Sequence, residues 1–224
     1  MKKLTYAIAF LLCYQMMNAQ SRNVDSFNSI EISGSVSVEL IQSNDERVEY
    51  KITKGDEKNL VIMNKGKSLI VKTKGDWNRS SKTAAKVKIY YKSIEDLEVS
   101  SGSSVSAKGM IKADKFNLEL SSGSACTMTL STDFLDLEVS SGSTLTLAGR
   151  GDTADIEVSS GSSFRAPDFV IQRADVEVRS GSTVQLEVTK SLVGNLSSGS
   201  TLRYSGEPSK VDMEKDISSS VSKR

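Results

Sequence analysis

Apolar and polar residues alternate one by one along most of the chain after residue 25. Around residue 140, Leu137, Val139, Leu145 and Leu147 occupy alternate positions on either side of a Ser-Ser-Gly-Ser segment, with polar residues between them. A period of two is typical of a β-strand with one buried face. No stretch has the 3.6-residue period of a long amphipathic helix. The pattern therefore predicts an all-β fold.

The alternating segments are copies of a repeat centred on Ser-Gly-Ser. Six full copies and one trimmed copy have their glycines at Gly102, Gly123, Gly142, Gly161, Gly181, Gly199 and Gly34. Successive full copies are separated by 21, 19, 19, 20 and 18 residues. One unit of about 20 residues cannot bury its apolar face alone, so the units must stack. The repeat predicts a parallel β-helix (β-solenoid) with turns of about 20 residues and two or three short strands in each turn.

Ser-Gly-Ser is expected to form a corner of each turn. Glycine there allows positive φ and avoids a side chain that would collide with the same corner one turn away. The serine hydroxyls are expected to bond neighbouring backbone groups or to form a ladder at the strand spacing of about 4.8 Å. A nucleophilic role is not favoured, because the sequence has no histidine partner and no Gly-x-Ser-x-Gly elbow.

Residues 1–20 have the layout of a secretory signal peptide. Two lysines precede a mostly apolar stretch over residues 4–17, and Asn18-Ala19-Gln20 supplies small and polar residues for cleavage. Lipid attachment at Cys13 is the alternative, but the bulky Leu12 precedes it. We expect export to the periplasm, the outer surface or the medium, with no transmembrane segment in the mature chain.

The mature chain is interpreted as one structural domain. Residues 21–92 are predicted to form longer, irregular strands that cap the N-terminal end of the solenoid. Residues 93–224 are predicted to form the regular turns and a C-terminal cap, with a last degenerate turn around residues 217–221. Cys126 lies three residues after Gly123, where other copies have Val105 or Leu145, so we expect a buried, inert thiol.

Charge and composition exclude several classes of function. Without residues 1–20 the chain has 27 basic and 28 acidic residues, a formal charge of −1. A nearly neutral chain is not expected to bind nucleic acid. The absence of histidine removes the commonest acid–base group and the commonest zinc ligand. With Cys126 as the one remaining cysteine, an intramolecular disulfide is excluded.

The repeat style and the opening of the mature chain resemble a known family. The leader ending in Asn-Ala-Gln, the opening Phe27-Asn28-Ser29-Ile30-Glu31-Ile32-Ser33-Gly34 and the serial Leu-Glu-Val-Ser-Ser-Gly-Ser units are similar to the auto-transporter adhesin head domain family. Such domains are widespread in exported proteins of Bacteroidota. The resemblance covers residues 24–222 and implies a right-handed β-helix in the cell envelope. It implies no established biochemical activity and offers no functional residues to carry over.

Stacking should align equivalent acidic residues into two outward columns. One column contains Glu98, Glu119, Glu138, Glu157 and Glu177, and the other contains Asp96, Asn117, Asp136, Asp155 and Asp175. The favoured interpretation is a solvated, charged face without a cofactor. One alternative is a weak calcium site at Asp136, Glu138, Asp155, Glu157, Asp175 and Glu177. The other is catalysis by a carboxylate pair, which should be a local exception rather than a feature of every turn.

Departures from the repeat are the best places to look for a binding site. The segment from Lys74 to Thr83 holds the only tryptophan, and we predict a ligand site at Trp77, Asn78 and Arg79. An exposed indole can stack on a sugar or anchor a protein contact. The alternative is that Trp77 packs over the solenoid as a lid.

Two arginines also depart from the repeat. Arg179 replaces the first serine of its copy, and Arg165 lies nearby in the sequence. We expect both side chains to balance the carboxylates; the alternative is that they bind a ligand.

The leading hypothesis is an exported, non-catalytic envelope or surface module with an adhesion-like binding role. Its partner would be a glycan or an envelope or matrix protein. The alternatives are a carbohydrate-processing β-helix enzyme that uses the acidic face and a purely structural envelope protein. Two carboxylates about 5–10 Å apart in a groove with a neighbouring basic group would favour the enzyme.

Overall fold

The computed structural model describes residues 20–74 and 83–224. These residues form sixteen β-strands and one short 3₁₀ turn, Glu57–Asn59. The strands are β1 Gln20–Asn23, β2 Ser29–Ser33, β3 Val36–Gln42, β4 Arg47–Lys54, β5 Leu60–Lys65, β6 Ser68–Thr73, β7 Ala84–Tyr91, β8 Asp96–Ser100, β9 Ser104–Leu120, β10 Ala125–Val139, β11 Thr144–Val158, β12 Ser163–Val178, β13 Thr183–Leu196, β14 Thr201–Ser205, β15 Lys210–Lys215 and β16 Ser220–Lys223. The all-β prediction is confirmed.

Strands β9 to β13 form the regular turns of a β-solenoid. Each strand runs from one Ser-Gly-Ser corner to the next and pairs in parallel with the equivalent strand of the neighbouring turn. The solenoid prediction is confirmed. The expectation of two or three short strands per turn is wrong, because pairing continues through the bends of each strand. The bends leave only local irregularities of register, as between Thr127 and Thr129.

The apolar residues of the alternation face inward and stack into columns. One column contains Val105, Cys126, Leu145, Phe164, Val184 and Leu202, all buried. Burial raises the pKa of the Cys126 thiol to about 12, so this thiol stays protonated at neutral pH. The prediction of a buried cysteine in the core is confirmed, and its raised pKa agrees with the expected lack of reactivity.

The Ser-Gly-Ser corner is a type I′ turn. Ser141 has φ 56° and Gly142 has φ 72°. The Ser143 N–H donates to the Ser140 carbonyl at 3.3 Å, which completes the type I′ pattern. The same pair of positive φ angles recurs in the other five corners. The predicted positive φ at glycine is confirmed, but the predicted collision is wrong, since a Cβ at Gly142 would meet no atom within 4 Å.

Close approach between turns occurs at other glycines. A Cβ at Gly149 would lie 2.0 Å from the Leu130 carbonyl oxygen, and a Cβ at Gly194 would lie 2.0 Å from the Val176 carbonyl oxygen. Both oxygens belong to the preceding turn. These glycines, rather than the corner glycines, let neighbouring turns approach at their bends.

The serine after the corner glycine is buried in all six full copies of the repeat and joins one turn to the next. The Ser143 hydroxyl oxygen accepts from the Ser124 N–H at 3.3 Å, and the Ser124 hydroxyl donates to the Val99 carbonyl at 2.8 Å. At the exposed tip of the corner, the Gly123 N–H donates to the Ser141 carbonyl of the next turn at 2.9 Å. The predicted serine ladder is confirmed, and hydrogen bonding between turns continues through the corner.

The N-terminal strands form a cap whose order in space differs from their order in the chain. The turn made of β2 and β3 pairs with β8 and β9 on one side and with β6 and β7 on the other. Farther out, β4 pairs antiparallel with β7 and β1, and β5 pairs antiparallel with β6. The predicted cap of irregular strands is confirmed, whereas the insertion of the first turn between later strands was not predicted.

The last turn consists of β15, which pairs with β13, and β16, which pairs with β14. Its corner contains Asp216, whose carboxylate accepts from the Ser198 N–H at 2.7 Å and from the Ser218 N–H at 3.2 Å. Hydrogen bonds, the largest contribution coming from Ser219 and the next from the Ser198 N–H, hold the pKa of Asp216 at about 2. A degenerate last turn is confirmed, but it begins at Lys210 rather than near residue 217. Its Asp216 carboxylate accepts hydrogen bonds from backbone donors at the end of the stack.

We expect Asp216→Ala to destabilise the last turn at neutral pH. Because folding lowers the Asp216 pKa from 3.8 to about 2, its stabilising effect is complete above pH 3.8 and is lost as the pH falls toward 2. Thermal unfolding of the variant and the wild type between pH 7 and pH 2 measures the difference, with Asp133→Ala, an exposed residue of β10, as the control. A deficit that is undiminished at pH 2 would contradict the assignment.

We expect Gly142→Ala and Gly149→Ala to differ in cost although both glycines have positive φ. Alanine at position 142 meets only the backbone penalty of about 1–2 kcal/mol. Alanine at position 149 also overlaps the Leu130 carbonyl oxygen, and we expect a loss above about 3 kcal/mol. Urea unfolding measures both free energies. Equal losses would show that steric contact between turns is unimportant at Gly149.

Candidate functional site: the acidic face

The predicted carboxylate columns lie side by side on one outer wall of the solenoid. We define the acidic face as two columns in register: Glu31, Glu98, Glu119, Glu138, Glu157 and Glu177, and beside them Asp96, Asn117, Asp136, Asp155 and Asp175. Glu31 was not among the predicted members of the columns, although it lies in the trimmed repeat copy Ile30-Glu31-Ile32. Its strand, β2, pairs with β8 and aligns Glu31 with Glu98.

Neighbouring carboxylates of the acidic face repel one another. Burial raises the pKa of the Glu98 carboxyl, and the charges of Glu119 and Glu31 raise it further. The pKa of the Asp155 carboxyl is raised first by burial and then by the charges of Asp175 and Asp136. Parallel strands set these groups about 4.8 Å apart, so any cation that docks between the turns would relieve the repulsion.

The charge is compensated at one end of the face. The Arg179 guanidinium lies 3.7 Å from the Glu157 carboxylate and contacts the Glu177 carboxylate still more closely. The prediction that Arg179 balances the carboxylates is confirmed. The same prediction for Arg165 is wrong, because Arg165 is in register with Thr146 and Gln185, in a column of a different part of the turn.

At the other end of the face, the described residues provide no ion-pair partner within 4 Å for Glu31, Glu98, Glu119 or Glu138. A groove of about 350 Å³ lies there, lined by both columns from Glu31 to Glu138. Asn117 replaces an aspartate in the middle of this groove. Its amide nitrogen donates to the Asp96 carboxylate, while its buried carbonyl oxygen has no partner among the described residues. Asn117 therefore removes one charge and adds one donor where the repulsion is otherwise uncompensated.

The six residues predicted to bind calcium belong to the acidic face. Asp136, Asp155 and Asp175 are neighbours in one column, and Glu138, Glu157 and Glu177 are neighbours in the other. Over residues 20–74 and 83–224, no group of three or more His, Cys, Asp or Glu residues is arranged to hold a metal ion. Calcium binding stays a prediction.

The predicted ligand site at Trp77, Asn78 and Arg79 lies outside the described residues and stays a prediction. The first described residue after it, Thr83, is buried against the cap. The Thr83 hydroxyl donates to the Asp56 carbonyl at 3.2 Å and accepts from the Asp56 N–H at 3.3 Å. Thr83 therefore lies beside the 3₁₀ turn of the cap.

We expect Glu98→Gln to stabilise the protein at neutral pH by about 0.2–1 kcal/mol, because it removes a charge opposite two other glutamates. Since the folded-state pKa of Glu98 is raised above 4.5, the gain is absent below pH 4.5 and appears as the pH rises through the folded-state pKa. Unfolding in urea at pH 4 and pH 7 measures it. Glu39→Gln is the control, because Glu39 pairs with Lys88 at 3.9 Å and should give no gain. A Glu98→Gln variant less stable at pH 7 would contradict the repulsion.

Comparisons with known proteins agree with this architecture. The chain is similar to a crystal structure of a putative adhesin from Bacteroides fragilis (TM-score 0.84, 12% identity, 92% of this chain and 96% of that chain). It is also similar to a putative adhesin from Parabacteroides merdae (TM-score 0.72, 18% identity, 92% and 95%). A third match is a putative lipid binding protein from Parabacteroides distasonis (TM-score 0.70, 18% identity, 93% and 97%). At these identities the matches show the fold alone.

No curated protein matches the sequence significantly. In the part of the chain that the structure describes, no helix has the length and hydropathy that crossing a bilayer requires. The family model described as "Putative auto-transporter adhesin, head GIN domain" matches residues 26–208. The match covers most of the chain and agrees with the resemblance inferred from the Ser-Gly-Ser repeat, so the chain belongs to this adhesin head-domain family.

Proposed function

We propose that the protein is an exported, non-catalytic module of the cell envelope or cell surface that binds a partner through its acidic face. The observation that carries the proposal is the uncompensated carboxylate ladder between Glu31 and Glu138, which the fold maintains although it raises the pKa of Glu98. Features that work against stability are concentrated at functional sites. A face kept charged only for solubility would be served equally well by interspersed charges of both signs.

The chemistry of the face favours a basic partner. Carboxylates at a fixed spacing on a flat wall suit lysine or arginine side chains of an envelope or matrix protein, which would gain charge-assisted hydrogen bonds. The same charge disfavours nucleic acid. The family membership supports an adhesive role, and it is consistent with an export signal at residues 1–20.

The repeat argues against catalysis on this face. A glycosidase needs two carboxylates whose environments push their pKa values apart, so that one acts as an acid and the other as a base or nucleophile. Here burial and neighbouring carboxylates raise the pKa of Glu98 and the pKa of Asp155 in the same direction. The acids also recur turn after turn rather than forming one exceptional pair.

A second candidate site is the segment with Trp77, Asn78 and Arg79. An indole beside an amide and a guanidinium is a combination that binds sugars by stacking and hydrogen bonding. We propose this segment for a glycan partner and the acidic face for a protein partner. The two assignments make different predictions for salt and for substitution, because stacking on an indole is insensitive to ionic strength and charge pairing is not.

We expect the protein from Gln20 onward to bind specific members of an array of glycans and of envelope and matrix proteins. Binding to basic proteins should weaken with salt and should fall at least tenfold in Glu98→Gln/Glu119→Gln. The matched control Glu39→Gln/Glu187→Gln, which removes two carboxylates outside the acidic face, should leave it unchanged. Binding to glycans should be lost in Trp77→Ala and persist in the acidic-face variant.

Binding to the array is measured in the presence of calcium and again in the presence of a chelator. Loss of binding only in the presence of chelator would indicate that a cation held by the acidic face, rather than the carboxylates themselves, contacts the partner. Equal binding by the acidic-face variant and its control would refute the acidic face as the site. Absence of any specific binding would leave the structural role as the simplest account.

A further inference from the structure

The C-terminal end of the solenoid leaves a strand edge and part of the core uncovered. Strand β15 pairs with β13 on one side, and within the described residues no strand pairs with its other edge. Val211 lies in register with Leu192 of the core, yet Val211 is 46% exposed whereas Leu192 is fully buried. Antiparallel strands cover the opposite end of the stack. An open edge beside exposed apolar residues is a template for pairing with another chain.

We propose that β15 pairs antiparallel with β15 of a second copy of this chain, about a twofold axis at Asp212. The sequence of β15, Lys-Val-Asp-Met-Glu-Lys, is complementary to itself in this register. Lys210 faces Glu214 of the second copy, and Val211 faces Met213 of the second copy. Residues that are opposite in antiparallel strands share a face of the sheet, so charged residues meet outside and apolar residues meet over the core.

The charge of the two end strands selects β15 rather than β16. Strand β15 contains two lysines, one aspartate and one glutamate, so it is neutral overall. Strand β16 contains Lys223, which pairs with Glu207 at 2.6 Å, and is followed by Arg224. This edge therefore has no acidic residue of its own to face a basic residue of a second copy. The one like-charge contact in the β15 pair is Asp212 with its own counterpart. Each Asp212 lies 3.6 Å from Lys210 of its own chain, which offsets that repulsion.

The pairing would join two acidic faces. Asp212 and Glu214 are in register with Val193 and Asn195 of β13, which continue the columns of Asp175 and Glu177. Because paired strands form one continuous sheet, the acidic faces of the two copies would lie on the same side. The Glu31–Glu138 stretches would lie at the two far ends of the dimer. A partner with basic groups repeated along a length that reaches both stretches would bind with an avidity above its affinity for one copy. The twofold pairing uses both edges and closes at a dimer.

Sedimentation equilibrium on the full mature chain tests the dimer. One strand pair is a small interface, so we expect a dissociation constant of about 10–100 µM. Lys210→Glu alone and Glu214→Lys alone each create two like-charge contacts, and each should weaken the dimer about tenfold or more. The double variant Lys210→Glu/Glu214→Lys exchanges the charges, restores both pairs and should recover the wild-type constant.

Arg224→Glu, next to β16 at the same end, is the matched control and should leave the dimer unchanged. Circular dichroism establishes that each variant is folded. A wild-type protein that stays monomeric at 500 µM overturns the proposal. A dimer that neither single variant weakens, or that the double variant does not restore, overturns the assigned strand and register. The measurement needs no ligand, so it is independent of the proposed binding role.

Discussion

The structure depends on hydrogen bonding between equivalent backbone groups in successive turns, which has to continue through every corner. A corner that left its N–H and C=O groups unpaired would interrupt the ladder once per turn. The Ser-Gly-Ser corner avoids this because a type I′ turn directs the Gly123 N–H toward the Ser141 carbonyl of the next turn. Each corner then has to copy its neighbours, which is why the tripeptide recurs while the residues between corners vary.

The same stacking imposes an electrostatic cost. A single charged residue on the surface costs little, but when it recurs in every turn its copies form a column of like charges at the strand spacing of about 4.8 Å and repel one another. The protein relieves this column at two places where the repeat changes, with Arg179 between two glutamates and with Asn117 between two aspartates. Between Glu31 and Glu138 the relief is incomplete, and there the face has the capacity to bind cationic groups. These uncompensated carboxylates are therefore the basis of the proposed function.

Much of the fold could be predicted because the length of one turn can be read from the spacing of the Ser-Gly-Ser copies. Alternation identified the inward residues, and the copies of the tripeptide aligned Cys126 with the core and Glu98 with Glu119. The conformation of the corner could not be predicted, because Ser141 has a positive φ that serine seldom adopts. The placement of β2 between β6 and β8 was also beyond the sequence, since it depends on pairing between distant segments. The role of Trp77 was open because nothing in the repeat constrains a segment that departs from it.

Each end of a solenoid has strand edges without a neighbouring turn, and the two ends of this solenoid are covered differently. At the N-terminal end, antiparallel strands cover the edges, and β1 is held there by Arg22, which donates to the Ile62 carbonyl at 2.8 Å. At the C-terminal end, the Asp216 carboxylate accepts hydrogen bonds from the backbone N–H groups of the corner, but the β15 edge carries charges of both signs and an exposed valine. Charged residues of one sign would protect such an edge from any partner. Charges of both signs protect it from most partners while permitting one whose charges are opposite at the paired positions, and an antiparallel copy of β15 meets that condition at Lys210 and Glu214.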